Sequence, residues 1–431
     1  MSGWEEAYWE PSFGAPARSA RQSGHYQRYV PDFVDGMMLA VNGDLSRKVA
    51  QAERALRALN DPGAGGLDGI ARFLLRSEAI ASSKIEGIAP SAQQVALAEL
   101  GQMESVRGVS DQARLVANNM TVVRRSTTEL VEAEELTVES IVDLHRSLLP
   151  DEPRHHGLRT VQNWIGGSDW NPIGAGYVPP AADRVPELMA DLVAYLNGSA
   201  HSPLIQAAIV HAQFETVHPF TDGNGRVGRA LIHTVLARRG LADRAVLPVS
   251  LVLATLKERY VAGLTSFRFD APRGSEEASL AINAWLEVFV DAAMVAVAEA
   301  RELMERVEDL IRDWATRQTE HRMSRGLRAI PRSDSASARL LMTLPEAPVV
   351  TATTLARILE VSFNAASAAL DELHQAGILQ VKSIDRGASA YIARDVLDLV
   401  NLAERRLAST RFDTRESPPA RPVPARQQAD Q

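Results

Sequence analysis

The chain has 431 residues, too many for one ordinary hydrophobic core, so two or three domains are expected, with one of them dominant. Hydrophobic residues make up 45% and charged residues 23%, the balance of a folded globular protein rather than of a disordered or membrane chain. A formal net charge of -8 argues against a general nucleic-acid coat or a polybasic membrane binder, and the absence of cysteine excludes disulfides, thiolate metal sites and a cysteine nucleophile.

The opening MSGWEEAYWEPSFG carries early acids and no apolar run, so it does not read as a signal peptide, and the cytoplasm is the expected compartment. Residues 1–30 mix Trp, Tyr, Arg and Gly without a period, as an extended arm would. From Leu45 onward the apolar positions fall at helical spacing, as in Val49, Ala52, Leu56 and Leu59, and β-branched alternation is scarce. The fold class expected is therefore mainly α. ARFLLRSEAIASSKIEG, residues 71–87, reads as a helix stopped by Gly87, with Ser82 and Glu86 four apart on one face. Glu86 lies in the last turn, where the helix dipole disfavours a carboxylate, so it should seek a cation; spacing alone equally fits an exposed surface acid. NWIGGSDWNPIGAGYVPP, residues 163–180, breaks the helical pattern with four glycines, three prolines and aromatics. It reads as a surface hairpin or flap ahead of a helix from Val185 to Leu196.

HAQFETVHPFTDGNGRVGRALIHTVLARRG, residues 211–240, reads as helix, polar turn, helix. Pro219 fixes the chain just after His218, which sets the imidazole at the helix end. Gly223 and Gly225 let the backbone curl so that successive N–H groups point into one hollow, and the start of the second helix adds its own unpaired N–H groups and positive dipole end. Arg226 and Arg229, three apart, reach the same side. Asp222 is the one carboxylate inside this cationic hollow, the kind of hard oxygen ligand that holds Mg²⁺ beside phosphates. His218, with an ordinary pKa near ~6.5, is suited to taking a proton from a hydroxyl. Each part alone has an ordinary structural meaning; together within twelve residues they suit a polyphosphate.

Further on, the stretch AINAWLEVFVDAAMVAVAEA is interrupted by Glu287 and Asp291, which favours a buried helix over a membrane span, and helical pattern continues from 278 to about 325 before a polar hinge. Residues 334–400 read as helix, turn, helix and two short strands around Arg386-Gly387, resembling a small winged helix-turn-helix domain. That segment holds five Lys or Arg against eight Asp or Glu, and SFNAASAALDELHQ, the would-be recognition helix, has no Lys or Arg. A DNA-binding regulator is the competing function, and this charge pattern favours a protein-interaction role instead. The end, TRESPPARPVPARQQADQ, reads as a disordered tail.

HPFTDGNGRVGR, residues 218–229, matches without a gap the motif HPFx(D/E)GNGRxxR and thus resembles the Fic (Fido) family of protein adenylyltransferases. The resemblance runs from roughly Tyr29 to Trp285 and implies a helical catalytic domain that moves AMP from ATP to a Ser, Thr or Tyr hydroxyl. It implies His218 as base, Asp222 as Mg²⁺ ligand, Asn224 with the Gly223 and Gly225 amides as phosphate binders, Arg226 and Arg229 on the β and γ phosphates, and Phe220 as the anchor of the loop. SSKIEG at 82–87 resembles the family's inhibitory motif (S/T)xxxE(G/N), which implies that Glu86 pairs with Arg229, occupies the γ-phosphate place and restrains the enzyme; the same glutamate is allowed a part in removing AMP. IGG and GYVPP resemble the family flap, so a target segment is expected to add as a strand along Gly166 to Pro180, with self-modification included. KERYVAGL at 257–264 resembles a nucleotide-contacting segment with two tyrosines, of which only Tyr260 is kept, and transfer from another nucleotide is the alternative. The domains expected are an arm (1–30), an N-terminal region with the inhibitory helix (31–110), the catalytic domain (111–290), a linker helix (291–333), the winged helix-like domain (334–400) and a helix end with tail (401–431). No membrane contact is expected, and a homodimer is among the partner states the sequence allows.

Overall fold

A computed structural model describes residues 2–11, 14, 20–60, 69–243, 245–272 and 274–410. It opens with an antiparallel pair, β1 (Gly3–Trp9) and β2 (Gly24–Val30), in the register Gly3 to Val30 through Trp9 to Gly24. The expected extended arm is thus a hairpin. Its aromatics explain its position: Trp4 packs edge-on against Tyr29 and Tyr177, and Trp9 against Trp164, so the hairpin lies on the flap. Tyr29 N–H donates to Val178 O at 2.9 Å, which joins β2 to the flap's returning segment.

Helices follow at the positions the apolar spacing predicts: α1 (Gly43–Leu59), α2 (Ala71–Ile85), α3 (Ala92–Gly101), α4 (Asp111–Thr127), the short α5 (Glu129–Glu132) and α6 (Val138–Leu148). Starts are set by side-chain caps, with Asn42, Ser91, Ser110 and Thr137 each accepting a backbone N–H of the first turn. Next come α7 (Val185–Asn197), α8 (Pro203–Val217), α9 (Asn224–Arg238), α10 (Val249–Thr255) and α11 (Lys257–Phe267). The pair α8 and α9 is buried nearly all round, which makes it the centre of the helical body. Around it lie α4 and α7, while α2 packs on α4, α9 and α10.

A single helix, α12 (Glu276–Ser324), crosses the boundary expected near 290. It is long and apolar enough to span a membrane, yet 56% of its most apolar window is buried, against α1, α8, α10 and α11. Trp285 anchors it, donating to Ala208 O at 2.9 Å. Beyond it stand α13 (Ala336–Thr343), β3 (Val349–Val350), α14 (Ala352–Leu359), α15 (Phe363–Gln375), β4 (Gln380–Asp385), β5 (Ala388–Ile392) and α16 (Arg394–Thr410). The strands form an antiparallel sheet in the order β3-β5-β4, with the predicted turn at Arg386-Gly387 between β4 and β5.

In place of a loose hinge, Arg322 Nη1 holds both oxygens of Glu372 at 3.0 Å and Gln318 adds a third bond. The C-terminal elements also reach the N-terminal ones. Arg107 N–H donates to Ile384 O, Arg107 pairs with Asp385 at 2.6 Å, and Arg76 donates to Glu346 O at 3.0 Å. Lys84 at the end of α2 pairs with Glu404 of α16 at 2.6 Å. The tail predicted from Thr414 lies outside the described residues.

Candidate active site

The turn between α8 and α9 begins with His218, whose φ of 49° and ψ of 59° are left-handed, a strained state for a residue with a Cβ that costs on the order of 1–3 kcal/mol. Neighbours hold it there. The His218 carbonyl accepts from Arg159 Nε at 2.9 Å and Asn163 Nδ2 at 3.3 Å, and Arg159 also donates to Pro180 O at 2.5 Å, so one buried guanidinium ties the catalytic turn to the flap. The flap itself closes through Ile165 and Tyr177, whose N–H groups donate to each other's carbonyls at 2.8 and 3.2 Å. Burial, with Arg268 and Arg159 nearby, pushes the His218 imidazole down to about 4, which keeps it neutral at neutral pH.

Phe220 is fully buried and stacks on His145, with ring centroids 3.9 Å apart and planes at 11°. Burial pushes His145 down to about 4, and this neutral ring contacts Asp222 O through Nε2 at 2.9 Å. Asn224, expected among the phosphate binders, starts α9. Its Oδ1 accepts from Phe220 N–H and its Nδ2 donates to Phe220 O, both at 2.8 Å, so its side-chain amide stitches the turn. The glycines also divide. Gly223 has φ 81°, which a side chain would resist, whereas Gly225 is helical and is needed for space, because a Cβ there would run into the Glu86 carboxylate and crowd Arg229 Nη1.

Arg226 is buried, with Nε and Nη1 lacking any hydrogen-bond partner, and its nearest carboxylate is Asp222 at 3.6 Å. Two buried guanidinium nitrogens beside helix-start amides make a hollow suited to an anion. Asp222 is half exposed at the mouth and accepts from Gly223 N–H at 2.6 Å. Among the described residues no cluster of three metal-ligating side chains occurs. A single carboxylate next to a phosphate hollow nevertheless fits Mg²⁺, which takes one or two protein carboxylates and fills its shell with water and phosphate oxygens.

Arg229 is already occupied. Its Nη2 meets Glu86 Oε1 at 2.7 Å and Ser82 O at 2.7 Å, and its Nε donates to Ser82 Oγ at 3.0 Å. Glu86 caps α2, and Gly87 at φ 81° turns the chain away. Burial raises the Glu86 carboxyl, but Arg229, then Arg226 and His218, more than reverse this and hold it below the ordinary carboxylate range. A third rung lies deeper. Glu78 is buried, accepting from Ser250 N–H at 2.8 Å and from the Ser250 hydroxyl, and it meets His233 Nε2 at 3.0 Å. Glu78, Ser82 and Glu86 thus step along α2 at four-residue intervals against His233, Arg229 and Gly225 on α9. Tyr260, expected at the nucleotide base, is buried near Arg229 with its hydroxyl 2.8 Å from His211 Nε2 and its ring against Trp285.

Residues 135–236 match the Fic/DOC family. That segment runs from just before α6 through most of α9. Among curated proteins it is similar to protein adenylyltransferase fic-1 of Caenorhabditis briggsae, with 34% identity over 142 residues covering 32% of this chain and 26% of that one. It is also similar to protein adenylyltransferase Fic of Drosophila ananassae, with 37% identity over 117 residues covering 26% and 22%. The chain therefore aligns with about a quarter of the length of these relatives. Among solved structures, a Fic family protein from Desulfovibrio desulfuricans overlaps 83% of this chain and 98% of its own at TM-score 0.48 and 21% identity.

Within the matched segment, Arg159, Asn163 and His145 were not singled out by sequence reasoning. They act through carbonyls of the turn from distant segments, and only a contact map shows them. Glu78 and His233 were equally silent, although the 78, 82, 86 spacing was there to be read.

Proposed function

We propose that this chain is a protein adenylyltransferase that moves AMP from ATP onto a hydroxyl of a target protein, restrained by Glu86. The observation that carries the reading is the buried Arg226 guanidinium with two unpaired nitrogens, set beside the α9 amides and a neutral His218. The match of residues 135–236 to the Fic/DOC family and the names of the similar proteins support it.

In this mechanism the α9 N-terminus and Arg226 bind the polyphosphate, and Asp222 would hold Mg²⁺, which neutralises charge on the departing pyrophosphate. The target's extended segment lies along the flap near Ile165, two residues from Asn163, which grips the catalytic turn. His218 Nε2 takes the hydroxyl proton as the oxygen bonds to the α-phosphorus and the bond to pyrophosphate breaks. Arg229 is the natural seat of the outermost phosphate, and Glu86 holds that seat, so a bound triphosphate must either displace Glu86 or lie out of line for attack. The same ionised Glu86, beside the phosphate hollow, is placed to assist hydrolysis of AMP from a modified target.

Incubation of the unmodified chain, Glu86→Gly and His218→Ala with Mg²⁺ and α-labelled ATP tests this. Label should appear on protein, the enzyme included, rise in the first variant and vanish in the second. Unchanged labelling in Glu86→Gly removes the restraint, and persistent labelling in His218→Ala removes the base.

A further inference from the structure

A general base must present a free lone pair on one ring nitrogen, so the other must carry the proton and be held there. The group facing His218 Nδ1 is Glu215, three residues earlier on α8, with Oε2 at 3.9 Å. The Glu215 side chain is buried at 8% exposure and that of His218 mostly so at 16%. No side chain hydrogen-bonds His218 Nδ1 or Glu215 Oε1, and the other acceptor beside the imidazole is the Glu215 backbone carbonyl. Two such buried polar atoms on neighbouring side chains are costly unless a working state of the site uses them. Space for this carboxylate is kept by Gly228, where a Cβ would lie 2.8 Å from Glu215 Oε1 and 3.3 Å from His211 Nδ1.

We propose that Glu215 is the positioning residue of the base: its carboxylate keeps the proton of His218 on Nδ1, leaves Nε2 free for the hydroxyl, and balances the imidazolium formed when the hydroxyl proton arrives. This rests on the reading of His218 as the base. The proton moves from the hydroxyl to Nε2 as the oxygen–phosphorus bond forms and pyrophosphate departs with its bonding pair; Glu215 neither gains nor loses one. The 3.9 Å separation is within a side-chain rotation of a hydrogen bond, and such contacts commonly tighten when substrate binds. Other charges facing the pair are Arg268 and Arg159 near the imidazole, Arg229 and Arg268 near the carboxylate, and Glu86, which faces both. The competing acceptor is the Glu215 carbonyl, which also lies on the imidazole side and receives Arg268 Nη2 at 3.5 Å.

Burial pushes the Glu215 carboxyl up to about 7 while His218 sits near 4, so the pair takes its first proton close to neutrality and the imidazole alone would do so lower. The test is Glu215→Gln and Glu215→Asp in the Glu86→Gly chain, with rates of α-labelled ATP transfer measured from pH 5 to 9. Glu215→Gln should lower kcat about 10–100-fold, within the usual worth of acid–base assistance, with KM for ATP within about two-fold. Its acid limb should move to lower pH, and Glu215→Asp should recover much of kcat. A Glu215→Gln chain that keeps kcat and the acid limb overturns the proposal and assigns the orientation to the carbonyl, which that variant retains. Should the variant fail to fold, ¹⁵N imidazole spectra of the unmodified chain decide: an Nδ1–H tautomer at His218 is expected, and an Nε2–H tautomer overturns it. Labelling that survives His218→Ala sinks the base itself, a separate result.

Discussion

Phe220 and Asn224 lock the catalytic turn from within seven residues of His218, whereas Glu86 reaches Arg229 across 143 positions of chain. The turn is buried, cross-stitched and closed by carbonyl contacts from Arg159, Asn163 and His145. The C-terminal end of α2 presents Glu86 with its side chain 38% exposed, held at Arg229 by one ion pair beside the Ser82 contacts. The turn is fixed by short-range, desolvated bonds, whereas the Glu86 contact joins a distant segment through a partly wet one; under the proposed function the first keeps its geometry and the second can yield.

The largest effect that would sharpen this contrast is loss of the base. His218→Ala should lower labelling about 10²–10⁴-fold with little change in melting temperature, since the neutral ring makes no paired side-chain bond. Glu86→Gly should raise labelling about 5–150-fold, the usual span of a coupling between two sites. A rise from both Glu86→Gly and a disruption of the turn such as Phe220→Ala would break the contrast. Phe220→Ala should instead abolish transfer and destabilise the fold by about 3–5 kcal/mol in denaturant unfolding, as a fully buried aromatic does on truncation. Ser82→Ala removes one hydrogen bond to Arg229 and leaves the Ser82 carbonyl in place, so activation of only about 2–10-fold is expected. The smallest effect concerns pH. Because Glu86 is held below the ordinary carboxylate range, its contact with Arg229 is complete above about pH 4.3 and is lost only as pH falls through the lowered value. The labelling ratio of Glu86→Gly to the unmodified chain should therefore stay flat between pH 6 and 8.

What was legible in the sequence follows the same division. His218, Asp222, Gly223, Arg226 and Arg229 lie within twelve residues, so helix spacing and two glycines bring them to one hollow without knowledge of the rest. The bonds of the Asn224 amide to Phe220 were not legible, because they depend on how the turn folds back over four residues. The burial of Tyr260 was not legible either, because it depends on Trp285 of another helix. The N-terminal hairpin escaped detection because β1 and β2 show no clean alternation of apolar and polar residues. Their pairing depends instead on Trp4 and Trp9 finding aromatics of the flap, and on β2 finding Val178.

Lys84 and Glu404 put one further consequence on the long helix α12. At 1.5 Å per residue its 49 residues form a rod of roughly 75 Å, which carries the C-terminal elements on a stiff strut rather than a string. Arg406 clamps α16 to the middle of that strut through Glu299 and Glu302, so Glu404 is presented to Lys84 at a fixed place. A break of that one ion pair would re-form as a first-order event, indifferent to how dilute the protein is.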